Sequence, residues 1–439
     1  MGIFKANDIR GIYNEEWNEE TAYKIGFFLP QVMHCDTILV GRDIRLSSDE
    51  VFESLSRGIV DAGCDVLDIG LATTPMVYFA TVHFGVPLSV QITASHNPAP
   101  YNGMKVSKQG AVPVCYVDGL DRVKAHVENV KVVLSGKKGV VRHADALTPY
   151  LAFQAKDMPD FSNLKLVIDC SNGMACLVAK ELFGEEHCYI NDHFDGSFPA
   201  HEPNPLDEST CDQIKRTVLQ CKADLGIIFD GDADRVMFID EKGSYIHADH
   251  MGAILGHHFE KGIAVVDIRS SRSTVSYLEA LGFEVVVWKV GHAQVKQKMR
   301  ELGATFGGEL SGHYYFKDFF YCDSAVFATK CILEVLSNFK SQGKSVSQVL
   351  STVIRYKTTG EVNYKVENKE EVMDNLLAAY SLQDYSKILT FDGYRIEFPT
   401  WWFSVRISNT EPYLRLVMES TTQEELDERF AEISAIIEA

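Results

Sequence analysis

Three stretches of this chain repeat one plan: apolar strand, short polar loop, amphipathic helix, glycine, second strand. They span residues 37–70, 164–192 and 262–291. The first and third also share Asp-Ile-Arg followed by paired serines: Asp43-Ile44-Arg45 with Ser47-Ser48, and Asp267-Ile268-Arg269 with Ser270-Ser271. From the strand-end aspartate to the glycine after the helix is 15 residues in the second and third stretches (Asp169 to Gly184, Asp267 to Gly282) and 20 in the first (Asp43 to Gly63). Any two strand-helix-strand units look alike in outline, so the shared spacing carries the argument for repetition. A run such as LKLVID is apolar nearly throughout, which suits a sheet covered on both faces. Right-handed crossovers then give three similar α/β layers. In the third stretch Val275, Leu278 and Leu281 form one helical stripe, and Gly282 suits the turn that ends a helix.

From about residue 360 the pattern changes. GEVNYKV reads as a strand, NKEEVMDNLLAAYSL as a helix, KILTF, YRIEF, WFSVRIS and LRLVMES as strands, and TQEELDERFAEISAIIEA as a closing helix. That is an α+β unit, antiparallel strands under two helices. Ser420 or Thr421 is expected to cap the last helix, with Glu424 or Glu425 in its first turn. A chain of 439 residues holds about three domains of roughly 150 residues, or four smaller ones. The expected fold class is α/β: three related α/β domains with mixed, βαβ-containing sheets, plus a smaller C-terminal α+β domain. The expected spans are 1–150, 151–251, 252–360 and 361–439.

The chain carries 61 acidic and 42 basic side chains, a net charge of −19 with histidine neutral. Such an excess argues against nonspecific binding to nucleic acid or an anionic membrane. It leaves room for an anionic ligand, because local arginines and a metal can override the mean field. The ten cysteines include no Cys-x-x-Cys pair and read as scattered reduced residues, not a zinc site. The N-terminal MGIFKANDIRG has no apolar signal-peptide core, and Ala6 stands where myristoylation requires Ser or Thr. No apolar run approaches the ~18 residues of a membrane span. The expectation is a soluble cytoplasmic protein.

Four loops are rich in chemistry. Thr93-Ala94-Ser95-His96-Asn97-Pro98 follows the apolar PLSVQIT, and Pro98 keeps Asn97 out of the helical region. A serine at the C-terminal edge of a parallel sheet is where α/β proteins place ligands, although Ser, Asn and Pro also simply make turns. A Ser-His hydrolase is disfavoured, since no Gly-x-Ser-x-Gly elbow surrounds Ser95. The second loop, Asp230-Gly231-Asp232-Ala233-Asp234-Arg235, sets three carboxylates at alternate positions, a hard-cation pattern. Glu241 falls where an EF-hand needs its twelfth ligand, but Arg235 replaces the required glycine and the flanks read as strands, so an EF-hand is rejected. Solvated turn acids are the competing reading, and their mutual repulsion counts against it. In Gly307-Gly308-Glu309-Leu310-Ser311-Gly312-His313, Glu309 and Ser311 would point the same way if extended, offering sugar hydroxyls an acceptor and a donor. A glycine-rich hairpin turn is the alternative. In Arg406-Ile407-Ser408-Asn409-Thr410-Glu411-Pro412-Tyr413-Leu414-Arg415 two arginines bracket hydroxyl and amide donors, a phosphate cradle or an ordinary hairpin.

Taken together and in this order, TASHNP, DGDADR, GELSGH and RISNTEPYLR resemble the signatures of the α-D-phosphohexomutases, and the resemblance runs from Asp8-Ile9-Arg10-Gly11 to Arg415. Leu310 is nearer to the Met of the phosphomannomutase/phosphoglucomutase branch than to the Gln of phosphoglucosamine mutases. Ala233 replaces the commoner Gly, and Arg269 stands where several relatives have Lys. The resemblance implies four domains around a central cleft, carrying in turn the phosphoserine, the metal, the sugar contacts and the phosphate contacts.

It also implies a mechanism. Ser95 carries a phosphoryl group, donates it to a hexose monophosphate, and recovers the other phosphate from a hexose 1,6-bisphosphate, which also serves as activator. Mg²⁺ is the implied cofactor, held by Asp230, Asp232, Asp234 and the Ser95 phosphate. Lys105, in an Asn102-Gly103-Met104-Lys105 that matches the family's NGxK, competes with His292 as general acid/base, and Arg10 stabilises transferred charge. Glu309, Ser311, His313, Arg406, Ser408, Asn409, Thr410, Arg415, Arg235 and Arg269 are the implied substrate contacts. Hexose phosphates are the implied partners, mannose favoured and glucose open, with no nucleic acid and no membrane. A phosphoglucosamine mutase, a metal-dependent sugar phosphatase and a silent sugar-phosphate binder are the other readings.

Overall fold

The structure, a computed structural model, describes residues 2–134, 136–408 and 413–439. In each repeated stretch the two strands lie side by side and parallel: Thr37–Arg42 with Asp65–Leu71, Leu166–Asp169 with Cys188–Ile190, and Ile263–Asp267 with Glu284–Trp288. The first strand of each pair has a further parallel neighbour: Leu88–Ile92, Leu225–Phe229 and Phe306–Gly308. That neighbour turns back into an antiparallel partner: Tyr101–Lys108, Val236–Asp240 and Tyr314–Phe316. An outer antiparallel strand follows each time: Ile9–Ile12, Tyr245–Ile246 and Cys322–Asp323. The same strand order therefore occurs three times, and the first sheet adds only Val112–Pro113 and Val141–His143. This is the mixed α/β class expected from the repeat.

The sheets obey the burial rule that made them legible. Every residue of Leu166–Asp169 and of Leu225–Phe229 is buried, as strands covered on both faces must be. The helix Arg272–Leu281 buries Leu278, half-buries Val275 and Leu281, and ends at Gly282 with φ 98°.

The topology puts the chemistry in equivalent places. Residues 93–100, 230–235 and 309–313 each join the middle parallel strand to its antiparallel partner. These are carboxyl ends of parallel strands, where α/β sheets gather ligands.

The tail is an antiparallel sheet ordered Lys357–Tyr364, Leu414–Ser420, Trp401–Ile407, Tyr394–Glu397, Lys387–Leu389. Its apolar face sets Phe403, Val405, Leu414, Leu416 and Met418 against helices Lys369–Tyr380 and Gln423–Glu438. By strand alternation the other face carries Ser404, Arg406 and Arg415. The last helix is capped by Thr422, which accepts from the Glu425 N–H. This corrects the expectation of Ser420 or Thr421: Ser420 is still paired in its strand with Lys357 and Trp401, and its hydroxyl donates to Glu425 instead. Helices Leu147–Ala155 and Ala248–Leu255 and strand Lys357–Tyr364 run across the divisions at 150, 251 and 360. Among the described residues no helix is long and apolar enough to cross a membrane.

Candidate active site

Ser95 sits in the left-handed region, φ 52°, and its N–H donates to Thr93 Oγ1 at 2.9 Å. A non-glycine residue there costs about 1–2 kcal/mol, so something must hold it. The holder is Arg45, a residue the sequence singled out only as part of the repeat. Its fully buried guanidinium donates to the carbonyls of Ser95 (2.8 Å), Asn97 (2.6 Å), Pro98 (2.8 Å) and Tyr101 (3.0 Å). Asp43 aims it through Nε at 3.1 Å. Arg10 adds Nη1 to Asn97 Oδ1 at 2.8 Å and pairs with Asp8. The Ser95 hydroxyl points across the domain junction and donates to Asp230 Oδ2 at 3.0 Å, 135 residues along the chain.

The acidic loop turns at Ala233, φ 58°, a conformation glycine adopts without penalty. Asp230, Asp232 and Asp234 are all buried. Asp230 Oδ1 accepts the N–H groups of Asp234 and Arg235, both at 3.1 Å. Asp232 Oδ2 accepts from Thr74 Oγ1 at 2.5 Å and from Lys105 Nζ at 2.7 Å, and Lys105 also pairs with Asp234. Burial, then the neighbouring Asp232 and Asp234, push the Asp230 carboxyl well above the ordinary range. Burial works the same way on Asp232, but Lys105 outweighs it and holds that carboxyl low. Burial likewise disfavours the Lys105 charge, and Asp232 and Asp234 more than restore it, so its pKa is raised.

The residues fit a hard cation. Oxygens of Asp230, Asp232 and Asp234 lie within 4.8 Å of one another. Oδ1 of Asp232 and of Asp234 are buried without a hydrogen-bond partner among the described residues. Buried carboxylate oxygens left so are costly, and a divalent ion with oxygen ligands relieves them. Arg235 Nε stands 3.8 Å from Asp230 and 3.9 Å from Asp234, close enough to balance charge. Glu241, the discarded EF-hand residue, instead accepts from Ser345 and Ser347.

The third loop is a tight turn, the glycine-rich hairpin alternative and not the extended one. The Glu309 N–H donates to His313 O, the Gly312 N–H donates to Glu309 O, and Gly312 takes φ 86°. Glu309 is consequently buried, one oxygen accepting from Gly291 N–H at 2.7 Å and the other from the Tyr315 hydroxyl. Ser311 stays half-buried at the turn. His313 Nδ1 pairs with Asp323 at 2.8 Å and lies 3.7 Å from Asp234. The His313 and Arg235 backbones bridge, joining the third loop to the acidic loop. His292 opens the helix His292–Leu302, its ring 6.1 Å from that of His313. Both its ring nitrogens are buried without a partner among the described residues, and burial, then Lys296, holds it well below the usual histidine range.

In the tail, Arg406 and Arg415 are direct cross-strand partners. Nε and Nη1 of the buried Arg406 have no hydrogen-bond partner among the described residues, which suits an anion. Ser408 is buried beside them, its N–H donating to Tyr413 O. Asn409 and Thr410 lie outside the described residues. Arg269 approaches from the third sheet, held by Asp267 at 2.7 Å and Glu361 at 2.9 Å.

Comparison with known proteins agrees with this arrangement. The four domain models of the phosphoglucomutase/phosphomannomutase family match in order: alpha/beta/alpha domains I, II and III at residues 1–130, 141–243 and 247–356, and the C-terminal domain at 361–436. A phosphomannomutase of Escherichia coli is 37% identical over 96% of this chain and 95% of its own. The chain belongs to the phosphohexomutase family, in its phosphoglucomutase/phosphomannomutase branch. A phosphomannomutase of Methanocaldococcus jannaschii is 33% identical over 99% of this chain and 97% of its own. The crystal structure of a phosphoglucomutase/phosphomannomutase family protein from Burkholderia thailandensis superposes with TM-score 0.89 at 28% identity, covering 99% of this chain and 96% of that one.

The structure adds residues around this phosphohexomutase's site that sequence reasoning missed. Besides Arg45 they are Thr74 on Asp232, Asp323 on His313, Tyr315 on Glu309 and Glu361 on Arg269. Arg45 left a signal, because Asp43-Ile44-Arg45 repeats Asp267-Ile268-Arg269 and both arginines turn back on their aspartate. The others are single residues in ordinary strands or helices.

Proposed function

We propose that this phosphohexomutase interconverts hexose 6-phosphates and hexose 1-phosphates, mannose favoured and glucose also accepted, through a phosphorylated Ser95 and a hexose 1,6-bisphosphate. The reaction class, phosphoryl transfer within a hexose phosphate by an isomerase, follows from family membership. The observation that carries the finer reading is the meeting of the Ser95 hydroxyl with Asp230 at 3.0 Å, beside carboxylate oxygens that lack hydrogen-bond partners among the described residues. Asp230, Asp232, Asp234 and the Ser95 phosphate would hold Mg²⁺, which when bound neutralises the phosphoryl oxygens. We divide the chain into phosphoserine, metal, sugar and phosphate units at about 150, 251 and 360, with each junction in the loop preceding the element that crosses it.

The protein's own groups divide the work. Arg45 and Arg10 hold the strained Ser95 loop, so that the reacting oxygen is positioned before substrate arrives. In transfer the Ser95 Oγ–P bond breaks, a P–O bond forms to the sugar hydroxyl, and the hydroxyl proton leaves to a base. Lys105, kept protonated between Asp232 and Asp234, is poorly suited to take it and serves to hold the acidic loop. His292, kept neutral by burial and with neither ring nitrogen hydrogen-bonded among the described residues, is suited to it. Arg406, Ser408, Asn409, Thr410 and Arg415 grip the phosphate that is not reacting, with Glu309, Ser311 and His313 on the sugar side. Ser95 is fully buried, so substrate enters by separation of the units, and reclosure shields the phosphoserine from water.

A coupled assay on mannose 1-phosphate and glucose 1-phosphate, with catalytic bisphosphate added, tests this reading. Net release of inorganic phosphate in place of isomerisation favours the phosphatase. The pH profile of kcat/KM separates the bases. A His292 base loses activity only below the ordinary histidine pKa of about 6.5, because burial has lowered its own. A Lys105 base would instead need alkaline pH.

Arg415→Ala is expected mainly to raise KM. Losing a charge-assisted contact of ~2 kcal/mol lowers kcat/KM about thirtyfold, and dependence on added bisphosphate should increase as more intermediate escapes. A wild-type KM and bisphosphate dependence would mean that RISNTEPYLR is an ordinary hairpin.

A further inference from the structure

Glu361 belongs to none of the four loops, yet it joins Arg415 of the fourth loop to Arg269 of the third repeated stretch. Its Oε2 accepts from Arg269 Nη1 and its Oε1 from Arg415 Nη1, each at 2.9 Å. Arg269 comes from the third sheet and Arg415 from the tail. The local chain is shaped to aim it. Strand Lys357–Tyr364 carries one residue more than its partner between Thr358 and Glu361, and Gly360 takes φ 64°. That is a bulge with a left-handed glycine, a device that re-aims the next side chain. Thr359 Oγ1 closes the bulge by accepting from the Met418 N–H at 3.0 Å.

The charges explain the need. Arg406 and Arg415 stand directly opposite on one face of the sheet, and like charges so placed repel. Arg269 is a third guanidinium in the same cluster, and Asp267 already holds it. A carboxylate cannot itself bind a phosphate dianion, so Glu361 acts through the arginines. Nor is it needed merely to join the units. Arg395 donates to the carbonyls of Ile268 and Ser270, and Glu419 accepts from Ser271, across the same junction.

We propose that Glu361 is a positioning residue of the phosphate site, fixing Arg415 in its phosphate-binding pose by tying it to Arg269 across the junction of third unit and tail. This rests on the reading of Arg406 and Arg415 as the phosphate grip. It implies that the grip is assembled only when the two units are docked.

The test compares Glu361→Gln, Arg415→Ala and the double variant in the Mg²⁺-loaded full chain, measuring KM and kcat with the hexose 1-phosphate turned over best, and the inhibition constant of inorganic phosphate. Glu361→Gln is expected to raise KM and the phosphate inhibition constant about tenfold while changing kcat less than about threefold. The double variant is expected within about twofold of Arg415→Ala, because the two residues act as one unit. Glu361→Asp, which keeps the charge but shortens the reach, is expected between wild type and Gln, and replaces Gln if that variant does not fold. Glu419→Gln loosens the same junction without touching Arg415, and is expected to leave KM near wild type. An unchanged or lowered KM in the Glu361 variants, with KM raised by Arg415→Ala, overturns the positioning role and leaves the grip standing. An additive double variant overturns it too. If Arg415→Ala itself leaves KM unchanged, the grip reading fails, and this proposal with it.

Discussion

Ser95→Ala is expected to lower turnover at least about a thousandfold, since it deletes the atom that carries the phosphoryl group. The fold should survive. The variant loses the Ser95 hydroxyl's hydrogen bond to Asp230 and its longer 3.4 Å contact with His96 Nδ1, each worth about 1 kcal/mol or less. The left-handed backbone at 95 tolerates alanine, as Ala233 shows at φ 58°. The four carbonyls gripped by Arg45 are backbone groups and do not change. Two readouts check it. Turnover is measured with and without added bisphosphate, which exposes rescue through a second acceptor. Intact mass should show a species about 80 Da heavier in the wild type and none in the variant. Retention of most activity by Ser95→Ala would remove the phosphoserine from the mechanism.

The repeat and the tail were legible because burial imposes pattern. A strand covered on both faces must be a continuous apolar run, and Leu166–Asp169 and Leu225–Phe229 are such runs. A helix with one buried stripe must repeat at 3.6 residues, and Leu278 with Val275 and Leu281 does so. The acidic loop was legible because three adjacent carboxylates are costly without a partner. The partners themselves were not legible. Glu361 reaches Arg269 and Arg415 across 92 and 54 residues of chain, and nothing in the surrounding EVNY marks it. Thr74 on Asp232 is a contact between the first and second units, and Asp323 reaches His313 from the neighbouring outer strand of the third sheet. The cap failed for a local reason: Ser420, Thr421 and Thr422 have similar propensities, and only the end of strand pairing at Ser420 decides among them. Between the extended and hairpin readings of the third loop the sequence left the choice open, and the turn at Gly312 decides it, with Glu309 accepting from the Gly291 N–H.

Removing the metal should be as damaging as removing the serine. EDTA is expected to stop turnover, and Mg²⁺ to restore it. Without an ion, Asp230 is pushed toward its neutral form by burial and by Asp232 and Asp234, and Oδ1 of Asp232 and of Asp234 lack hydrogen-bond partners among the described residues. Mg²⁺ binding to the folded state should therefore also raise the melting temperature, by about 2.7 kcal/mol of added stability at a hundred times Kd. Asp232→Asn separates charge from shape. The amide keeps the volume and one oxygen but loses the charge that attracts the ion and that pairs with Lys105 at 2.7 Å. Metal affinity is expected to fall at least about tenfold. Saturating Mg²⁺ should recover activity only in part, because Lys105 keeps its ion pair with Asp234 but loses that with Asp232. Titration of Mg²⁺ against both melting temperature and rate measures the two losses separately. A rate indifferent to EDTA would make the acids structural partners of Lys105 and Arg235, and would exclude the metal-dependent phosphatase as well as the Mg²⁺-assisted mutase.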